Sequence, residues 1–84
     1  MKKLKSAREI KAGDYIKAYN DEGNFILFKA LGILNFWGEC QILDTNIPNL
    51  SSMINKVEII SRQSLKREFR IFRLNKFEKW LYII

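Results

Sequence analysis

Residues 13–34, GDYIKAYNDEGNFILFKALGIL, decide how the rest of the chain is read. They follow the pattern of a β-hairpin: a run rich in Tyr and Ile, a turn, and a second β-prone run. Asp21, Glu22, Gly23 and Asn24 make the turn, because glycine and asparagine tolerate the positive φ that short hairpin loops require. The second run, residues 25–34, is apolar at both parities, with Lys29 its one charge. A strand covered on both faces, or one crossing from one sheet to another, reads in this way. Gly32 stands where such a strand has to bend sharply.

Beyond the hairpin, Asn35 and Gly38 bracket Phe36 and Trp37 in a second turn. Residues 39–43 then read as a short third strand with Cys40 and Ile42 on one face. Residues 44–55, DTNIPNLSSMIN, hold the chain's one proline and read as an irregular connection. Residues 56–60, KVEII, alternate, with Val57 and Ile59 expected inward and Glu58 outward. On the N-terminal side, Ser6 to Glu9 fit a capping box, and Gly13 limits that helix to a turn or two.

The tail, residues 66–80, reads KREFRIFRLNKFEKW: six cations threaded between four aromatic rings. As a helix, residues 62–74 would put Leu65, Phe69 and Phe72 on one side and Arg62, Lys66, Arg70 and Arg73 on another. As a strand, residues 68–74 would pair with 56–60 through a polar loop at 61–67, pointing Phe69 and Ile71 one way and Phe72 and Leu74 the other. One helix running on through Phe77 and Trp80 would land those rings on its basic side, so either reading breaks near Asn75. Asn75, with Glu78 three residues later, caps a short terminal helix whose Phe77, Trp80, Leu81 and Ile84 share a stripe.

Taking the strand reading gives a mainly β fold of five short strands. Such a set predicts a small SH3-like or OB-like barrel, closed partly to remove exposed edges, with a short C-terminal helix. The alternative is an α+β fold with a longer C-terminal helix. Residues 10–19, IKAGDYIKAY, are similar in style to the first strand of many SH3-like barrels, where a Gly-Asp turn launches a strand. The resemblance carries no diagnostic motif and names no family.

At 84 residues the chain is expected to form one domain, residues 1–84. A chain of this size buries only roughly 60 to 65% of the surface that its unfolded form exposes, so its core is thin. Cys40 is the single cysteine, which excludes an internal disulfide and a thiolate metal cluster and suits a reducing, cytoplasmic setting. Lys5, Arg8 and Lys11 interrupt any apolar leader near the start, as in a mature cytosolic N-terminus. Lys29 and two glycines interrupt residues 24–38, so no membrane helix is expected.

Net charge is +6, and it is unevenly spread. Residues 1–17 carry six cations and two acids, residues 18–55 one cation and four acids, and residues 56–84 eight cations and three acids. Basic ends flanking a mildly acidic middle point to a polyanionic partner.

The absence of histidine removes the commonest general acid-base group and the commonest metal ligand. Cys40 has no neighbouring base and reads as a small core residue. The carboxylates are scattered and the four glycines isolated, so neither a paired-acid site nor a phosphate-cradling loop is expected. These readings give a non-enzymatic binding module with no cofactor and no metal.

Its nucleic-acid contacts are assigned to phosphate recognition by Lys66, Arg67, Arg70, Arg73, Lys76 and Lys79, joined by Lys3 and Lys5 if the termini meet. The tail rings either stack on bases or fill the core, and an 84-residue domain needs them inside. Phe36 and Trp37 either plug the barrel end or anchor a protein partner. The alternative function is therefore a protein interaction or inhibitor module of the phage or mobile-element accessory type. Lys, Asn and Ile make up 29 of the 84 residues, as an AT-rich genome gives. Homo-oligomerisation through residues 56–60 or the terminal WLYII is a third outcome.

Overall fold

The computed structural model of the chain describes residues 1–34 and 37–83; for residues 33, 34, 37, 62, 82 and 83 the description stops at the backbone. The hairpin forms where the sequence places it. Asn20 sets the turn with its side chain, whose Oδ1 accepts from the backbone N–H of Glu22 at 3.0 Å and of Asn24 at 2.9 Å. Gly23 takes φ +83°, which a β-carbon would strain. The strands so joined are β2 (Tyr15–Tyr19) and β3 (Phe25–Leu34), following a two-residue β1 (Lys2–Lys3).

Next come β4 (Trp37–Thr45), β5 (Val57–Ser61) and β6 (Arg70–Arg73), and the six form one antiparallel sheet in the order β1-β6-β2-β3-β4-β5. The protein is thus mainly β, with six strands rather than five. The extra strand is β1, whose Lys2 and Lys3 pair with Arg73 and Phe72. β1 and β5 are the sheet's two edges, and among the described residues no pairing joins them, so the sheet is open.

Buried residues fall on both parities of β3. Ile26, Phe28 and Ala30 face the core, together with Ile16 and Ala18 of β2 and Ile71 of β6, while Leu27 is buried on the opposite face. Register shifts at Leu27/Phe28 and Ala30/Gly32 bend β3 against β4. The shift next to Gly32 leaves Leu31 38% exposed rather than in the core.

The ambiguous tail contains both of its readings in succession. Ser61 Oγ accepts from the N–H of Ser64 and starts helix α1 (Arg62–Glu68), which Leu65 anchors in the core. Phe69 then turns extended, at φ −131°, into β6. Residues 61–67 are therefore not a loop, and the strand does not return to residues 56–60. The chain runs instead through α1 into β6, which lies four places from β5 in the sheet order and pairs with β2.

β5 also faces the other way from its reading. Cys40 points into the core and pairs with Glu58, so Glu58 shares its face, whereas Val57 and Ile59 are 58% and 66% exposed.

Two short-range signals hold. Ser6 and Glu9 form the capping box of a 3-10 turn, Ala7–Glu9, and the Glu9 carboxylate accepts from the N–H groups of Ser6 at 3.0 Å and Lys5 at 2.6 Å. Those bonds hold its carboxyl below the usual carboxylate range. Asn75 caps α2 (Lys76–Ile83), accepting from Phe77 and Glu78 N–H at 3.0 and 2.9 Å, while Glu78 Oε1 accepts from Asn75 N–H. The connection over residues 44–55 includes a 3-10 turn, Pro48–Met53.

Candidate nucleic-acid interface

In β2, YIKAY, the alternation of the pleat sends Ile16 and Ala18 into the core and Tyr15, Lys17 and Tyr19 to the opposite face. Cross-strand partners share a face, so the register extends this second face into three rows. Arg70, Tyr19 and Phe25 form one row. Lys3, Phe72, Lys17, Leu27 and Asp44 form the next. The third begins at Leu74, whose N–H donates to the carbonyl of Tyr15, and continues through Lys29 and Gln41 to Val57.

The rings on this face touch one another and the lysines. Tyr19 lies 6.5 Å from Phe25 and meets Phe72 edge-on at 5.9 Å. Lys17 Nζ sits 5.2 Å from the Tyr19 centroid and 5.0 Å from that of Phe25. Lys29 and Lys79 place their ammonium groups 5.7 and 6.0 Å from Tyr15. All four rings are half-buried, and Leu27 and Leu74 are buried on the same side of the sheet. Among the described residues, the cations of the face are Lys3, Lys17, Lys29, Arg70 and Lys79; its acids are Asp44, Glu39 on the same parity of β4 as Gln41, and Asp21, which pairs with Arg70 at 3.2 Å.

The residues singled out in the sequence divide among several places. β1 against β6 does bring head to tail, and Lys3, Arg70 and Lys79 gather on the face just described. Lys66 and Arg67 end α1, whose Leu65 lies in the core on the other side of the sheet. Lys5 is exposed beside the first 3-10 turn, and Lys76 opens α2.

Arg73 is tied into the fold by its side chain. It shares its parity with Ile71, so its side chain turns toward the core side, donating from Nε to Asp14 Oδ2 at 3.0 Å and from Nη2 to the carbonyl of Glu9. Phe36 lies outside the described residues, and Trp37 is described only as the first backbone position of β4.

Lys17, Lys29, Tyr15, Tyr19 and Phe25 were missed because they lie in segments of low charge density. Parity was the available signal. In YIKAY the small aliphatic residues occupy one parity and the aromatic and cationic ones the other.

Tail aromatics follow the same logic. Phe69 packs against the core and Phe72 lies on the outer face, whereas α2 holds Phe77, Trp80 and Leu81 at 85%, 66% and 67% exposure. Burial pushes the Cys40 thiol up to about 11, helped by the Glu58 carboxylate, so it stays protonated near neutral pH. Among the described residues no cluster of acids or thiols could hold a metal ion, and no helix is long and apolar enough to cross a membrane. No family model, curated protein or solved structure matches this chain.

Proposed function

We propose that this protein is a small non-enzymatic module that binds nucleic acid, chiefly through phosphate, on the outer face of β6, β2 and β3. The observation that carries the reading is the gathering of Lys3, Lys17, Lys29, Arg70 and Lys79 on one side of one sheet, drawn from the head, hairpin and tail of the chain. Three acids, Asp21, Glu39 and Asp44, do not balance these five cations. The scaffold in this proposal is an SH3-like barrel left open between β1 and β5. Its support is the β2-β3-β4-β5 meander, with β6 returning by a helix to the far side of β2, and the bends in β3 that curl such a sheet. A cytoplasmic setting with the Cys40 thiol reduced belongs to the same proposal.

The test is binding of single- and double-stranded oligonucleotides over a salt series. Each phosphate neutralised releases condensed counterions, so contacts from four or five cations give a log-log salt slope of roughly −3 to −4. A flat response, or no binding at low salt, removes the proposal.

A protein-interaction role, of the kind phage and mobile-element accessory proteins have, is the second reading, and α2 favours it over Phe36 and Trp37. Phe77, Trp80 and Leu81 stand at i, i+3 and i+4 and expose a contiguous apolar stripe. Affinity capture after nuclease treatment separates the two readings: a partner that survives nuclease and is lost in Trp80→Ala supports the second. Self-pairing of β5 through its open edge is read by light scattering across concentration.

A further inference from the structure

We infer that the outer face takes single-stranded nucleic acid and stacks unpaired bases on Tyr19, Phe25 and Phe72, with Tyr15 beside them; this rests on the phosphate-binding reading of the same face. A solvent-facing parity of an antiparallel sheet ordinarily carries polar residues. Here it carries four rings, three of them in direct contact and all of them reaching solvent.

The lysines show how those rings meet water. Lys17 and Lys29 hold their ammonium groups 5.0 to 5.7 Å from ring centroids, which places each charge beside a surface that a flat base can cover. When a base takes that position, the ammonium swings aside to the phosphate of the same nucleotide. Rings and charges alternate as Tyr15, Lys17, Tyr19 along β2 and as Tyr15, Lys29 across to β3. A strand crossing them meets a stacking surface and a phosphate partner in turn.

The geometry also selects against duplex. In a duplex the base faces are occupied by their neighbours, and half-buried rings on a sheet cannot reach between them. A duplex therefore engages the cations alone, whereas a single strand engages cations and rings, and stacking is tolerant of base identity.

The experiment compares four probes by fluorescence anisotropy at fixed low salt: an oligothymidylate and an oligouridylate of about ten nucleotides, an abasic strand of equal length, and the matching duplex; small β modules cover about 4 to 16 nucleotides. The abasic strand keeps every phosphate and removes every base. The pyrimidine strands are expected to bind more tightly than the abasic strand, by about fivefold to a hundredfold for each stacked base. The oligothymidylate and oligouridylate arms distinguish DNA from RNA, and tight binding of either supports the inference.

Tyr19→Leu keeps an apolar side chain and removes the ring, so it should lower pyrimidine-strand affinity at least about fivefold more than it lowers abasic-strand affinity. Should that variant melt early, photocrosslinking of a 5-iodouracil strand to the unaltered protein replaces it, with adducts expected at Tyr19, Phe25 or Phe72. Equal affinity for abasic and pyrimidine strands, tighter binding to duplex, or adducts confined to other residues overturns the stacking inference and leaves phosphate binding standing. Failure of all four probes overturns both.

Discussion

Strands β2, β3 and β6 have two faces built from different chemistry out of the same few residues. Inward they offer Ile16, Ala18, Ile26, Phe28, Ala30 and Ile71, a layer with a single ring. Outward they offer Tyr15, Lys17, Tyr19, Phe25, Lys29, Arg70 and Phe72, rings and cations in alternation. The inner face closes on Leu4 and Leu65, brought by the N-terminal segment and α1, and excludes water. Among the described residues nothing comparable closes the outer one. A thin core should draw in its largest apolar side chains, yet most of the sheet's aromatic area faces away from it. In the proposed function, stability belongs to the inner face and recognition to the outer face, and each prediction below separates those roles.

The largest effect belongs to the inner face. Phe28→Ala is expected to cost about 2 to 5 kcal/mol in urea unfolding, because a fully enclosed ring leaves a cavity that a small sheet fills poorly. Leu31→Ala, one pleat beyond, should cost far less, since the register shift leaves Leu31 partly in water.

Arg73 gives the sharpest contrast with its neighbour Arg70. It ties Asp14 and the Glu9 carbonyl to β6, so Arg73→Ala should cost about 1.5 to 3 kcal/mol, the range for hydrogen bonds to charged groups, whatever it does to binding.

Acid has a smaller effect. Glu9 has its carboxyl lowered by the N–H groups of Ser6 and Lys5, so the stability it contributes is present above the unfolded value of 4.5 and is lost as pH falls through the lowered folded value. The urea midpoint should therefore drop below about pH 4.5, and Glu9→Gln should flatten that dependence.

The smallest stability effect belongs to the outer face. Arg70→Ala breaks an exposed pair with Asp21 and should change stability by about 0 to 1 kcal/mol. It should still reduce the salt slope of nucleic-acid binding by about one phosphate contact. If Arg70→Ala unfolds the domain, or Arg73→Ala leaves it intact and weakens binding alone, the division between the two faces fails.

What the sequence could reveal followed the range of each interaction. The hairpin and both helix caps rest on residues within four positions of one another, such as Asn20 with Asn24 and Asn75 with Glu78, and local chemistry was sufficient to place them. Residues 62–73 satisfied two periods at once: Leu65, Phe69 and Phe72 fit a helix, and Phe69 and Ile71 fit a strand. The fold divides them at Phe69.

β5 was turned over because its more apolar parity was placed inward, whereas the register with β4 fixes Glu58 beside Cys40. β1 has only Lys2 and Lys3, with no apolar alternation to announce it. For the candidate site, density of charge along the sequence does not coincide with the outer face of the sheet. Arg73 sits in the most basic stretch and folds inward, while Lys17 and Lys29 sit in apolar runs and face out with the rings.

The most direct test of this division is an NMR titration of the labelled protein with a single-stranded oligonucleotide, following backbone amides and aromatic ring protons together. If the outer face binds, shifts concentrate on Lys3, Tyr15, Lys17, Tyr19, Phe25, Lys29 and Phe72, while the signals of α1 and of Phe28 stay in place. Shifts centred on Lys66 and Arg67 of α1, or on Phe77 and Trp80 of α2, would contradict it.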